Sequence, residues 1–137
     1  MARVPAFAFV AFVVLGACLP PAAAAQTDGL AEATKAYNAG DYAAALKGFL
    51  PLAKAGNAEV QTLVAGIYAR GLGTAPDPAK AARWYAKAAD QGEMYATTML
   101  GWFYLRGIGV PQDPVRGYRL LARAATQFLR GSSASGA

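Results

Sequence analysis

The side chains that most often carry covalent or acid–base chemistry are nearly missing from this chain. It has no histidine and a single cysteine, Cys18, which removes Ser-His-Asp and Cys-His nucleophile sets, most metal-ligand sets and every intrachain disulfide. The eight carboxylates (Asp28, Glu32, Asp41, Glu59, Asp77, Asp90, Glu93 and Asp113) form no repeated pair suited to general acid–base work. Two or three of them stand where helix caps are needed. Gly71-Leu72-Gly73 and Gly107-Ile108-Gly109 look superficially like phosphate loops, but each follows a helical pattern rather than a strand, and no Gly-Lys-Ser/Thr comes after. The residues therefore predict no catalytic, cofactor-binding or metal-binding site, and a protein that is not an enzyme.

What remains is chemistry of association. Lys47, Arg83 and Arg119 are spaced 36 apart, as are Lys80 and Arg116, and Lys87 and Arg123. Lys80, Arg83 and Lys87 fall at i, i+3 and i+7, so stacked units would align rows of positive charge. Such rows suit an anionic contact through Lys80, Arg83, Lys87, Arg116, Arg119 and Arg123, and they equally serve solubility. The formal charge of +5 alone does not separate the two.

These residues need elements to position them, and the repeat supplies them. A shift of 36 takes Tyr68 to Tyr104, Arg70 to Arg106, Gly71 to Gly107, Gly73 to Gly109, Asp77-Pro78 to Asp113-Pro114 and Gln91 to Gln127. The reverse shift takes Asp77 to Asp41, Tyr85 to Phe49 and Gly92 to Gly56, so a more degenerate unit begins near Leu30. Val60, Leu63, Val64, Ile67 and Tyr68 recur at helical spacing after Asn57, an N-cap, and end at Gly71. Asp77-Pro78 and Asp113-Pro114 supply a cap and a first-turn proline for second helices running to about Gln91 and Leu129. The first unit turns at residues 37–42, and its second helix, about Asp41 to Ala55, contains Pro51, which removes a backbone donor and predicts a kink.

Arg3 is the only charge before Asp28, residues 4–19 are apolar, and Pro20-Pro21 precedes a run of alanines. This is the pattern of an export signal, too short for a spanning helix. Ala23 and Ala25 fit cleavage before Gln26, whereas Leu15-Gly16-Ala17-Cys18 looks like a bacterial lipobox that would make Cys18 a lipid anchor; both remain open. The expected division is a signal peptide over 1–25, a repeat domain over 26–130 and a disordered tail over 131–137. The expected location is periplasmic or secreted, or membrane-anchored as a lipoprotein, and export disfavours nucleic acid as a partner.

The run from Leu100 to Val110 with Asp113 matches L-G-x-x-Y-x-x-G-x-G-V-x-x-D, and Ala81 to Gly92 matches A-x-x-W-Y-x-K-A-A-x-Q-G. Over roughly residues 30–129 the chain thus resembles the Sel-one-like repeats, relatives of the tetratricopeptide repeat. Departures are Ala65, where the family prefers Gly, and Gly117, Leu120 and Leu121 in place of Ala, Trp and Tyr. The resemblance implies an all-α fold, a short right-handed α-solenoid of about three antiparallel helix pairs, that binds protein or peptide partners without catalysis. It also implies a concave groove lined by first helices, with Tyr95, Thr98, Trp102, Leu105 and Arg106 in one row and Glu59, Thr62, Gly66, Ala69 and Arg70 in the row before. Thr62, Arg70, Tyr95, Thr98, Trp102 and Arg106 are the candidate partner-binding residues, with Trp102 and Arg106, one turn apart, at the centre.

Overall fold

Short polar caps and glycines set where each helix begins and ends. The computed structural model describes residues 21–134 and 136, with side chains from 26. It contains α1 (Pro21–Asn38), α2 (Tyr42–Lys54), α3 (Ala58–Arg70), α4 (Pro78–Asp90), α5 (Met94–Arg106) and α6 (Pro114–Ala134), and no strand among the described residues. The side chains of Asp41, Asn57, Asp77 and Glu93 accept from Ala44 N, Val60 N, Lys80 N and Ala96 N at 3.2, 3.1, 3.0 and 2.7 Å. Asp113 does the same for Arg116 N at 3.0 Å. Each satisfies a first-turn donor that would otherwise be orphaned. Gly71 and Gly107 end α3 and α5 in the left-handed conformation, both at φ 67°.

The bounds differ from the sequence reading at both ends. α1 reaches back from Leu30 to Pro21, because the alanines of 22–25 are strong helix formers. α6 runs past Leu129 to Ala134, taking up residues 131–134 of the expected tail. No proline interrupts that stretch, and Ser133 Oγ donates to Arg130 O at 3.0 Å. α2 carries Pro51 and continues to Lys54. Positions 1–20 of the expected signal peptide, with Cys18 among them, lie outside the described residues.

The helices form three antiparallel pairs, α1/α2, α3/α4 and α5/α6, and successive pairs meet through α2/α3 and α4/α5. The result is an all-α solenoid. Its core is split into two clusters that match the repeat. One is built on Phe49, Val60, Val64 and Ile67, all at most 1% exposed. The other is built on Tyr85, Ala88, Ala89, Leu100 and Phe103. Tyr85 meets the Phe103 edge with ring centroids 5.5 Å apart at 86°, a geometry worth about 0.5–1.5 kcal/mol beyond burial.

Polar side chains stitch the pairs together by donating to the carbonyls at helix C-termini. Gln61 Nε2 donates to Ala53 O at 2.9 Å and its Oε1 accepts from Gln91 Nε2 at 2.9 Å. Arg123 donates to Ala89 O at 2.8 Å, and Gln127 donates to Gly92 O. Two of the departures from the family pattern, Ala65 and Gly117, also find a reason. Gly101 on α5 faces Gly117 on α6, and a Cβ at Gly117 would lie 2.9 Å from Gly101 O and 2.7 Å from Leu105 Cγ. The equivalent residues one repeat earlier, Ala65 and Ala81, keep both methyl groups fully buried. The last pair therefore crosses more closely than the one before it.

Candidate functional site

Three first helices, α1, α3 and α5, border a cavity of about 510 Å³ whose walls include Leu30, Thr34, Tyr37, Glu59, Thr62, Gly66, Arg70, Glu93 and Tyr95. Its long wall is the α3 row anticipated from the sequence. Glu59 and Arg70 stand at opposite ends of that helix, about 16 Å apart at 1.5 Å per residue. The cavity thus has a carboxylate end, formed by Glu59 and Glu93, and a guanidinium end. Glu93 is half-buried and already engaged: it caps α5, and Thr62 Oγ1 lies 3.1 Å from its Oε2 and 3.0 Å from Ala58 O. Glu59 is exposed and free of hydrogen bonds and ion pairs to described residues.

The floor holds a residue that lies outside the expected groove rows. Tyr85 is only 1% exposed, yet it crosses from α4 beneath Gly66, so that its hydroxyl oxygen would sit 3.8 Å from a Cβ at position 66. Burial, with a smaller contribution from Tyr95 and against the pull of Arg70, pushes its phenol up to about 12. The hydroxyl is therefore neutral at physiological pH. Because the folded value exceeds the unfolded value near 10, stability is complete below about pH 10 and is lost as pH rises toward 12. Tyr85→Phe should flatten that alkaline loss in melts taken between pH 9 and 12, leaving the neutral-pH fold in place.

Of the six expected partner-binding residues, the structure brings Thr62, Arg70 and Tyr95 to this cavity. Thr98 lines a separate apolar hollow of about 400 Å³ with Met94, Tyr95, Leu121, Ala124, Ala125 and Phe128. Trp102 is 44% exposed and holds the Arg106 guanidinium 5.4 Å from its ring centre, but neither lines the cavity or the hollow. Repeat register explains the split. Position 66 is glycine and position 102, its equivalent, is tryptophan, so α3 leaves a space where α5 carries a ring. That pairing of Gly66 with a Tyr85 beneath it was the available signal for the missed floor residue.

The basic ladder is largely turned inward onto its own repeats. Lys80 lies 5.3 Å from the Tyr68 ring centre and 3.7 Å from Asp77, and Arg116 repeats the contact at 4.6 Å from Tyr104. Lys87 lies 4.6 Å from the Trp84 ring centre, and Arg123 is held by Ala89 O. Such cation–π contacts contribute about 0.5–1 kcal/mol each at exposed sites. Among the described residues, Lys47, Arg83 and Arg119 have no such partner. No cluster of three potential metal ligands occurs among the described residues, and no described helix is long and apolar enough to cross a membrane.

Comparison with known proteins places this geometry in a family. The chain is similar to a Sel1 repeat protein from Oxalobacter formigenes, at 34% identity and a TM-score of 0.68 over 72% of this chain and 40% of that one. It is also similar to c5321, a protective antigen of uropathogenic Escherichia coli with an SLR fold, at 30% identity and a TM-score of 0.70 over 74% of this chain. Only 23% of the c5321 chain is covered, so this chain spans well under half of either structure. Helicobacter pylori cysteine rich protein B shares the fold at 15% identity and a TM-score of 0.60, covering 74% and 87% of the two chains. No curated protein matches the sequence closely enough to count as a relative. Sel1 repeats are generally protein–protein interaction modules and typically non-catalytic scaffolds. The Sel1 repeat profile matches residues 58–93 and 95–127, half of the chain, with α3, α4 and all of α5 but Met94, and the chain belongs to the Sel1 repeat family.

Proposed function

We propose that this protein is a non-catalytic interaction module of the bacterial cell envelope whose concave groove holds a segment of a partner protein or peptide. The observation that carries the reading is the 510 Å³ cavity where α1, α3 and α5 converge. Its walls combine apolar surface from Leu30, Val60 and Leu63 with a neutral phenol below and opposite charges at its two ends. That arrangement favours an apolar side chain flanked by a basic group toward Glu59 and an acidic or carboxyl group toward Arg70. Trp102 and Arg106 extend the same row one repeat further and enlarge the contact. An additional anionic contact on the opposite rows rests on Arg83 and Arg119, two of the ladder residues left free.

The envelope assignment rests on the export pattern of residues 1–25, with cleavage before Gln26 giving a periplasmic or secreted form and acylation of Cys18 a membrane-anchored one. Mass spectrometry of the mature N-terminus distinguishes them. The groove itself is tested by a photo-crosslinking amino acid placed at Tyr95 and, separately, at Arg83. Partner adducts are expected from position 95, whether or not the additional anionic contact also gives adducts at 83. Adducts confined to position 83 would overturn the groove and favour the basic rows.

A further inference from the structure

The outer face of α6 is apolar and exposed, and the repeat shows what covers such a face. Val115, Tyr118, Phe128 and Leu129 are 61–66% exposed, and Ala122 and Ala125 lie between them. One repeat earlier, the equivalents of Tyr118, Leu121 and Ala125 are Ala82, Tyr85 and Ala89, each at most 3% exposed. α5 shares one buried cluster with those three, through Ala96, Leu100 and Phe103 at i, i+4 and i+7. The first helix of a following repeat would therefore sit against α6, and no described residue takes that place. The hollow formed by Thr98, Leu121 and Phe128 is the same feature seen from the groove side. Around Thr62 and Tyr85 the corresponding space is bordered by Glu93 and Tyr95 of the next repeat.

Charge identifies the occupant. α6 contains Arg116, Arg119, Arg123 and Arg130 and no acidic residue. At 100° per residue these four fall on one margin of the helix, beside Val115 and Thr126. Arg116 and Arg123 lean back onto Tyr104 and Ala89, which leaves Arg119 and Arg130, three turns apart, exposed without a partner among the described residues. A second copy is a poor fit. An antiparallel two-fold pairing would bring both arginine rows to the same side, and a head-to-tail copy would present α1, whose exposed surface includes Asp28, Glu32 and Lys35 rather than an apolar stripe. We propose that the outer face of α6 docks an amphipathic α-helix of a partner protein, with apolar residues at i, i+4 and i+7 and acidic residues three turns apart along one margin.

The probe is a labelled helical peptide carrying Ala, Leu and Phe at that spacing with two such glutamates, titrated by fluorescence anisotropy into the full chain. A twin peptide has lysines in place of the glutamates. The expected result is saturable binding of the glutamate peptide, weakened at least tenfold in the twin and at least tenfold by Ala122→Glu. The double change Arg119→Glu and Arg130→Glu should reverse the preference and restore binding of the lysine peptide. Ala122 is exposed, so thermal melts of the variants should match the parent, and Gly66→Trp in the groove should leave this binding intact. Equal affinity for both peptides, indifference to Ala122→Glu, or no saturation of the glutamate peptide would overturn the proposal. So would a face that instead binds phosphatidylglycerol vesicles, or that self-associates, in a manner abolished by Ala122→Glu.

Discussion

Gly109→Ala should destabilise the protein by more than about 3 kcal/mol, the largest effect expected of any single methyl addition in this chain. Two costs add. The residue has φ 67°, where an L side chain costs about 1–2 kcal/mol. A Cβ there would also lie 2.3 Å from the carbonyl carbon and oxygen of Pro78 and 2.6 Å from Ala79 N. Those atoms are backbone at the start of α4, fixed by the Asp77 cap, and cannot swing aside as a side chain end would. Relief requires the α5–α6 loop to move off the preceding repeat. Gly73 makes the same approach to Tyr42 and Ala43 at the start of α2, so the second glycine of each loop is where one repeat seats on the last. Gly107→Ala is the control. It has the same φ but would meet mainly the Gln112 side chain, at 3.2 Å, and should cost only the conformational part. With total stability of domains this size near 5–15 kcal/mol, the Gly109 variant should lose on the order of 12 °C or more in Tm. Equal melts for the two variants would refute the seating role.

Much of this architecture was legible in the sequence, because repeat identity constrains the same local physics several times. The Asp-Pro starts, the Gly71 and Gly107 stops and the three-pair arrangement all follow from residues whose roles are local. What the spacing of glycines could not show is that Gly73 and Gly109 face a neighbouring helix start, since positive φ and close approach leave the same residue type. Periodicity likewise reports which face a side chain is on and not how far it reaches. Tyr85 has a core register, and only the missing side chain at Gly66 lets its hydroxyl come through to the groove. The basic ladder read as an outward charged surface because its spacing was clear, whereas its contacts with Tyr68, Trp84 and Tyr104 depend on how the paired helices cross. The candidate site was half visible for the same reason. Thr62, Arg70 and Tyr95 converge because their helices stack, while Trp102 and Arg106 sit one repeat along.

The central claim is that the cavity over Gly66 is where a partner binds, and Gly66→Trp tests it most directly. A Cβ at position 66 meets only the Tyr85 hydroxyl, at an ordinary 3.8 Å. Replacing a mid-helix glycine also gains up to about 0.5 kcal/mol in helix propensity, and the equivalent position 102 already carries tryptophan. The fold should therefore tolerate the change, with a melt within about 1 kcal/mol of the parent. The indole, however, would occupy the space between Thr62, Arg70 and Tyr95. Parent and variant chains are used in parallel to capture proteins from an isotope-coded envelope extract, and recoveries are compared by mass spectrometry. The expected result is an unchanged melt with recovery of a specific protein reduced at least tenfold, equivalent to about 1.4 kcal/mol of binding. Undiminished recovery of every captured protein by a normally melting Gly66→Trp chain would contradict the groove as the partner site.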